Sequence, residues 1–370
     1  MLIDFLQNMY DESDMTCSEP EGLWEEIEYY SVAPQVYHLL RARGGLDGLQ
    51  EELRAKLKEA ADAVLFHNMF VRSEMNKLLA LFEREGIAVI PLKGTIFAER
   101  YFGHFAARGT SDIDLLIAPA ELAKASGLLR GMGYEQQGAA DKTHFHVLFN
   151  KTFPTGNFGF IGVELHWGVL RTHVSSTDID QLWRDSAPYG VYQHVRELRP
   201  EAVFYHICLH GYHHQLLGFK YILDVAHLLF AIGGQIDYDE LFAQAKRDGN
   251  LAKVRIVLTH VYGLFPALEH LKPLPKRKRW PFWGMGLVRD AVVGAKGWRY
   301  YAFRIAASFV TFDSWKQSVS DIRYSWFPTK EFAQYEELQL RESDSTFKLY
   351  LKLYAKRFQR IRNSQQPKAK

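Results

Sequence analysis

The sequence predicts an α+β protein. A small mixed β-sheet is expected between an N-terminal helical region and a mostly helical C-terminal domain. Three observations predict this. The apolar period is helical up to residue 85, changes to short β-branched runs between 87 and 167, and returns to helical from Thr177. Glycines and prolines fall at the changes of period: Gly86, Gly94, Pro119, Gly131 and Gly133. Composition, at 47% hydrophobic and 24% charged, is that of a globular chain, which excludes a disordered or collagen-like one. A length of 370 residues suits about two domains.

Residues 21–43 carry Leu23, Ile27, Tyr30, Val36, Leu39 and Leu40 at helical spacing, with Pro34 interrupting the run. Residues 48–85 form the longest helical pattern, through Leu53, Leu57, Ala61, Leu65, Phe70, Leu78 and Leu81, and Gly86 stops it. IAVIPL (87–92) reads as a buried strand. A helix from about Thr95 to Phe102 follows, then a polar loop over 103–111. DIDLLIA (112–118) is a second buried strand, and Pro119 suits the first turn of a helix ending near Gly131 or Gly133. HFHVLF (144–149) and FIGVELHW (160–167) read as two more strands. This β-α-β-α-β-β order implies a mixed sheet. From Thr177 the pattern is helical to the end, at about 178–185, 198–215, 218–231, 238–247, 251–264, 284–312 (broken near Gly294 and Gly297) and 345–362. The expected division is a helical region at 1–84, a sheet-bearing domain at 85–175 and a helical domain at 176–370. LKPLPKRKRWPFWGMG (271–286) is the clearest linker.

No apolar run reaches the roughly 18 residues of a membrane span. The acidic N-terminal stretch lacks a signal-peptide layout, so a cytoplasmic setting is expected. Cys17 and Cys208 are too few for a disulfide framework or a thiolate zinc site and are expected as free thiols. The net charge of +2 conceals an asymmetry. Residues 251–370 carry 23 Lys+Arg against 9 Asp+Glu, a net of +14, and the rest of the chain carries −12. The basic part is expected to face an anion or the acidic part of the same chain.

The sharpest chemical feature is Asp112-Ile113-Asp114 at the start of an apolar strand. Residues i and i+2 of a strand share a face, so two carboxylates stand side by side. They repel unless a cation neutralises them. Their spacing suits Mg²⁺, which takes one or two carboxylates and completes its shell with phosphate oxygens and water. Upstream, Gly94 between strand and helix allows close backbone approach, and the helix N-terminus offers N–H groups to a phosphate. Lys93 adds charge and Thr95 a hydroxyl. Downstream, VELHW places Glu164, a candidate third carboxylate, and His166 on one strand face.

Lys93-Gly94-Thr95, the run from Arg108 through Ser111-Asp112-Ile113-Asp114 to Ile117, and a helix ending in Gly131-Met132-Gly133-Tyr134 resemble a bacterial nucleotidyltransferase family of the DNA polymerase-β-type superfamily. The resemblance covers about 85–170, and ELHW (164–167) and LHGYHH…FKYILDVAHLL (209–229) extend it. It implies a polymerase-β-like palm at 85–175 and an enzyme that moves an NMP from an NTP, with ATP expected, to a hydroxyl or phosphate of an acceptor, releasing pyrophosphate. It implies Asp112, Asp114 and Glu164 as catalytic ligands of Mg²⁺ or Mn²⁺. Lys93, Gly94, Thr95, Arg108, Ser111 and His166 become nucleotide contacts, and Lys220 a second anion contact. Relatives in biosynthetic pathways make peptide or natural-product tailoring the expected setting. Two departures stand out. Sixteen residues separate Thr95 from Asp112, and the turn reads Gly-Thr rather than Gly-Ser. The longer loop holds Arg108, within reach of a phosphate.

The basic C-terminal part favours an anionic acceptor: a sugar phosphate, a modified peptide or an anionic metabolite. His206, His210, His213 and His214 share a helical stretch and read as packing positions, as a lining of the acceptor side or, least favoured without an HExxH pattern, as a zinc site. Lys220 and Asp224 lie four apart, placed to pair on one helix face. The last helix carries an apolar stripe of Phe347, Leu351, Tyr354, Phe358 and Ile361 among basic residues. It is expected to cap the helical domain or to meet an anionic membrane surface or an acidic protein. No stacking module or recognition helix is present, so nucleic acid is not an expected partner. The competing functions are a nucleotide-binding scaffold that retains the fold without turnover, and a phosphohydrolase built on the histidine cluster.

Overall fold

The computed structural model describes residues 1–10, 19–137, 145–153, 159–328 and 345–363. The first helix, α1 (Leu2–Met9), buries Leu2, Phe5, Leu6 and Met9 along one side. It is followed by α2 (Leu23–Tyr29) and α3 (Ala33–Ala42). Pro34 sits in the first turn of α3, where its missing N–H costs nothing, so it starts a helix rather than interrupting one. The 34-residue α4 (Glu51–Arg84) follows, about 50 Å long at 1.5 Å per residue. Gly86, at a φ of +69°, turns the chain out of it.

The sheet is built from β1 (Val89–Pro91), β2 (Asp112–Ile117), β3 (Glu135–Gln137), β4 (His146–Thr152) and β5 (Phe160–His166), with α5 (Thr95–Phe102) and α6 (Leu122–Gly131) between strands. Its order is β1-β2-β5-β4-β3, and β2–β5 is the parallel pair in it. Alternation gives it two unlike faces. On one face Ile113, Leu115, Ile117, Val147, Phe149, Val163 and Leu165 join Val71, Met75, Leu78 and Phe82 of α4 and Leu129 of α6 in a dry core. On the other, Ile90, Leu92 and Leu116 join a larger core with the helices. The polar residues of this second face make up the site described below.

Beyond the sheet come α7 (Ile179–Arg184) and a hairpin, β6 (Ser186–Pro188) with β7 (Arg196–Leu198), where the sequence pattern predicts helices alone. Gly190, at a φ of +58°, lies in the turn. Then follow α8 (Pro200–His213), α9 (Phe219–Ile232), α10 (Tyr238–Arg247), α11 (Leu251–Leu264), α12 (Leu268–Leu271), α13 (Met285–Val292), α14 (Trp298–Val310), α15 (Trp315–Trp326) and α16 (Thr346–Asn363). α1, α2, α3 and the start of α4 share their core with α8, α9, α11 and α14. The stretch 271–286 is anchored rather than loose. Trp280 is buried and donates its indole N–H to Thr311 Oγ1 at 2.8 Å, and Trp283 donates to the Gln215 carbonyl at 3.0 Å.

The stripe predicted for the last helix is not its packed face. Leu349 and Leu353 are buried, with Tyr350 beside them, whereas Phe347, Leu351 and Phe358 are exposed. The side chain of Ile361 and the whole of Cys17 lie outside the described residues. Cys208 is a buried free thiol. Among the described residues no single helix is long and apolar enough to cross a membrane.

Candidate active site

The site forms where the second face of the sheet meets α8 and α9. Register puts its carboxylates together: Asp114 pairs with Glu164 across the parallel β2–β5 ladder, and Asp112 precedes Asp114 on the same face. One oxygen each from Asp112, Asp114 and Glu164 lies within 4.8 Å of the others. Opposite Asp112 stands Gly162, which adds no side chain to crowd it.

Two cations of the chain hold these carboxylates together. Lys93 Nζ lies 3.2 Å from Asp112 Oδ2 and 2.5 Å from Asp114 Oδ2. Burial opposes the charge on Lys93, but Asp114 and Asp112 overcome it and raise the ammonium above its usual range. His166 Nε2 donates to Asp114 Oδ1 and Glu164 Oε2, each at 3.0 Å. Burial would discharge this imidazole, yet the two carboxylates raise it to about 9. Burial alone would raise the Asp114 carboxyl; Lys93 and His166 reverse that and hold it well below the carboxylate range. Ser111 Oγ donates to Asp112 Oδ1 at 2.8 Å.

The Gly94 turn borders the carboxylates. Gly94 has a φ of +83°, and a Cβ there would meet Thr110 Cγ2 at 3.2 Å, so both backbone and space favour glycine. The Thr95 hydroxyl, counted by the sequence among phosphate contacts, is buried and points at Met75 Sδ 3.9 Å away. Its backbone N–H opens α5 and remains as the group available to a phosphate. The loop before β2 is pinned by α4. Asn68 donates to the carbonyls of Phe105 and Arg108 at 2.9 and 2.8 Å, and His67 Nε2 reaches the Thr110 carbonyl at 2.9 Å. Both residues sit in a long helical pattern and carry no local signal of this role.

Arg108 is buried and donates Nε to both oxygens of Asp224, at 3.0 and 2.9 Å. Asp224 therefore pairs with Arg108, not with Lys220 as the four-residue spacing suggests. Burial raises the Asp224 carboxyl, and Arg108 and Lys220 offset part of that rise. Lys220 stands 5.1 Å from the Tyr221 ring centre, and burial, then Arg108, lower its ammonium.

α8 forms the opposite wall. His206, His210, His213 and His214 line a cavity of about 120 Å³ together with Lys93, Asp112, Asp114, Glu164 and His166. Pockets for drug-sized ligands hold roughly 300–1,000 Å³, so this one fits a functional group rather than a whole nucleotide. Burial lowers His206 to about 3 and His214 to about 4, and puts His210 well below its ordinary value, so these imidazoles are neutral. The sequence missed His146. It stands directly across the β4–β5 ladder from His166 and lines the same cavity. The alternation in HFHVLF was its signal, but only the strand register makes it informative.

Residues 16–266 match the model of a family described as an uncharacterised nucleotidyltransferase. The matched span takes in every residue named in this site. No curated protein and no solved structure matches the chain.

Proposed function

The chain belongs to this uncharacterised nucleotidyltransferase family, and from that premise we propose that it transfers an NMP from an NTP, with ATP the favoured donor, to an anionic small-molecule or peptide acceptor. One observation carries the reading: three carboxylates from two neighbouring strands converge beside a glycine turn, with a lysine ammonium against two of them. The donor set fits a hard divalent cation, because all three donors are oxygens and a cation of the chain already sits against two of them. Held by Asp112, Asp114 and Glu164, Mg²⁺ or Mn²⁺ would neutralise triphosphate charge and stabilise the attacking and leaving oxygens.

The chain's own groups do the rest. Ser111 fixes the orientation of Asp112. The Gly94 turn and the Thr95 N–H receive phosphate oxygens, and Lys93, Arg108 and Lys220 add positive charge on that side. The acceptor oxygen attacks the α-phosphorus, the bond to the bridging oxygen breaks, and pyrophosphate leaves. Glu164, on the cavity side, takes the proton of an acceptor hydroxyl. The surplus of basic residues beyond 251 supports an anionic acceptor.

The test is pyrophosphate release from ATP, GTP, CTP and UTP with Mg²⁺ or Mn²⁺ and a cell extract as acceptor source, with mass spectrometry of the adducts. Asp112→Asn/Asp114→Asn is expected to lower release by about 10³-fold or more, equivalent to roughly 4 kcal/mol of transition-state stabilisation. Release at the wild-type rate in that variant would refute the mechanism. Tight nucleotide binding without release from any acceptor would identify a scaffold.

A further inference from the structure

Glu164 belongs to two groups of converging ligands. One is the all-oxygen set with Asp112 and Asp114; the other is His146, Glu164 and His166, again with one donor atom each within 4.8 Å of the others. His146 and His166 are opposed residues on antiparallel strands, with ring centres 5.0 Å apart. His146 Nε2 lies 3.9 Å from Glu164 Oε1, and His166 Nε2 lies 3.0 Å from Glu164 Oε2. A tetrahedral ion with bonds of about 2.0–2.2 Å spaces its ligands about 3.4 Å apart, so these separations need only small side-chain movements to close on one centre. The ion takes the place of the Nε2 proton that His166 otherwise shares with Asp114 and Glu164, and that proton is released to solvent.

An independent observation comes from the other wall. His206 of α8 is 5% exposed, lines the same cavity, and among the described residues has no hydrogen-bond partner at either ring nitrogen. Buried polar groups are almost always satisfied, and one that is not calls for an explanation such as an ion or a water that it serves. His206 is held in a helix that faces His166, so a metal-bound water or acceptor group in the cavity would give its nitrogen a partner.

We propose that His146, Glu164 and His166 form a second metal site, specific for a first-row transition ion of the zinc and iron type, with His206 facing the ion's open side. The donor set decides the class. Two imidazoles and one carboxylate suit Zn²⁺, Fe²⁺ or Co²⁺, whereas Mg²⁺ prefers oxygen donors and retains its water. Three protein ligands with an open position are the arrangement of a catalytic ion, which lowers the pKa of a bound hydroxyl. The two ions then differ in kind: a hard cation on the nucleotide side and a transition ion on the acceptor side, with Glu164 between them. The ion's part in nucleotidyl transfer rests on the reading above; its binding does not.

The experiment is a Co²⁺ titration of the full chain after dialysis against a chelator, read by visible ligand-field absorption. One equivalent of Co²⁺ is expected to give a nitrogen-ligated spectrum that Zn²⁺ abolishes and a thousandfold excess of Mg²⁺ leaves intact. His146→Gln, and independently His166→Asn, are expected to weaken Co²⁺ binding at least tenfold, with folding checked by circular dichroism. Asp112→Asn/Asp114→Asn is expected to keep the spectrum while losing pyrophosphate release. A wild-type chain without the spectrum, or a spectrum displaced by Mg²⁺, would overturn the site, and so would one lost with Asp112 and Asp114 but kept without His146. The wild-type competition decides the matter even where a variant fails to fold. Retained pyrophosphate release in the aspartate variant would instead refute the transferase reading and leave this site standing.

Discussion

Two polar clusters share the seam between the sheet and the helices, and they differ in whether their charges are matched. In the α9 cluster Arg108 and Asp224 form one buried cation–anion pair, with Gln35 Nε2 donating to Asp224 at 3.3 Å. Three residues on, His227 donates Nε2–H to the Tyr101 carbonyl at 2.6 Å and stacks on Phe102. In the cavity cluster Asp112, Asp114 and Glu164 share Lys93 and His166, and neutral histidines face them across open space. A matched buried cluster is complete and contributes to folding. An over-acidic one beside a cavity is incomplete and has room for a ligand. The contrast implies that damage to the first lowers stability even where it also weakens nucleotide binding through Arg108, whereas damage to the second falls mainly on function.

The strongest challenge to that contrast is Asp224→Asn. It leaves the Arg108 guanidinium buried without a counter-charge, which typically costs about 3–5 kcal/mol. Urea unfolding should show a loss of that size in unfolding free energy, seen as a lower midpoint without a change in slope. Replacement of Asp114 should cost less, because Lys93 keeps Asp112 at 3.2 Å. If Asp224→Asn is as stable as the wild type, or less damaging than Asp114→Asn, the distinction between complete and incomplete clusters fails.

The two clusters also differ in how far the sequence reveals them. Asp112, Asp114 and Glu164 are legible because each lies in a strand whose apolar alternation assigns a face, and two are separated by a single residue. The helical boundaries from 200 to 264 are legible for the same reason, since long periodic segments carry strong signals. Arg108 and Asp224 are 116 residues apart, and nothing local in either marks the other. His146 gains meaning only from the β4–β5 register. The Thr95 hydroxyl turned inward because Met75 of α4 packs beneath α5, a tertiary fact. The β6–β7 hairpin is too short and too mixed in polarity to break a helical reading, and α16 buries Leu349 and Leu353 because Tyr350 and Arg357 reach the carbonyls of Pro328 and Ser325.

A pH series sharpens the comparison on the stable side. Burial lowers His227 to about 4, whereas an unfolded histidine titrates near 6.5. The native state prefers the neutral ring, so the contribution is fully present above about 6.5 and is lost as pH falls through 4. Over that window the loss is roughly 3 kcal/mol from this residue. Burial also lowers His38, His206, His214 and His260, so the wild-type decline is larger than this residue's share. The informative quantity is the difference between wild type and His227→Gln unfolded in urea at pH 7.5 and pH 4. The variant is expected to lose less on acidification by that amount, and equal losses would remove His227 from the account.

The smallest expected effect tests the functional side. Ser111 is exposed and its hydroxyl donates to Asp112 Oδ1 at 2.8 Å, so it orients one ligand without filling any part of the core. A single such bond is worth about 0.5–1.5 kcal/mol. On an exposed side chain, Ser111→Ala should leave unfolding stability within about 0.5 kcal/mol of wild type. The same bond acts on the metal ligand, so the concentration of Mg²⁺ or Mn²⁺ giving half-maximal pyrophosphate release should rise about two- to tenfold. The rate at saturating metal should change little, because excess ion restores what orientation no longer supplies. A fall in the saturated rate with unchanged metal dependence would mean that Ser111 contacts the substrate instead. A loss of stability with neither would mean that the cavity cluster, too, contributes mainly to folding.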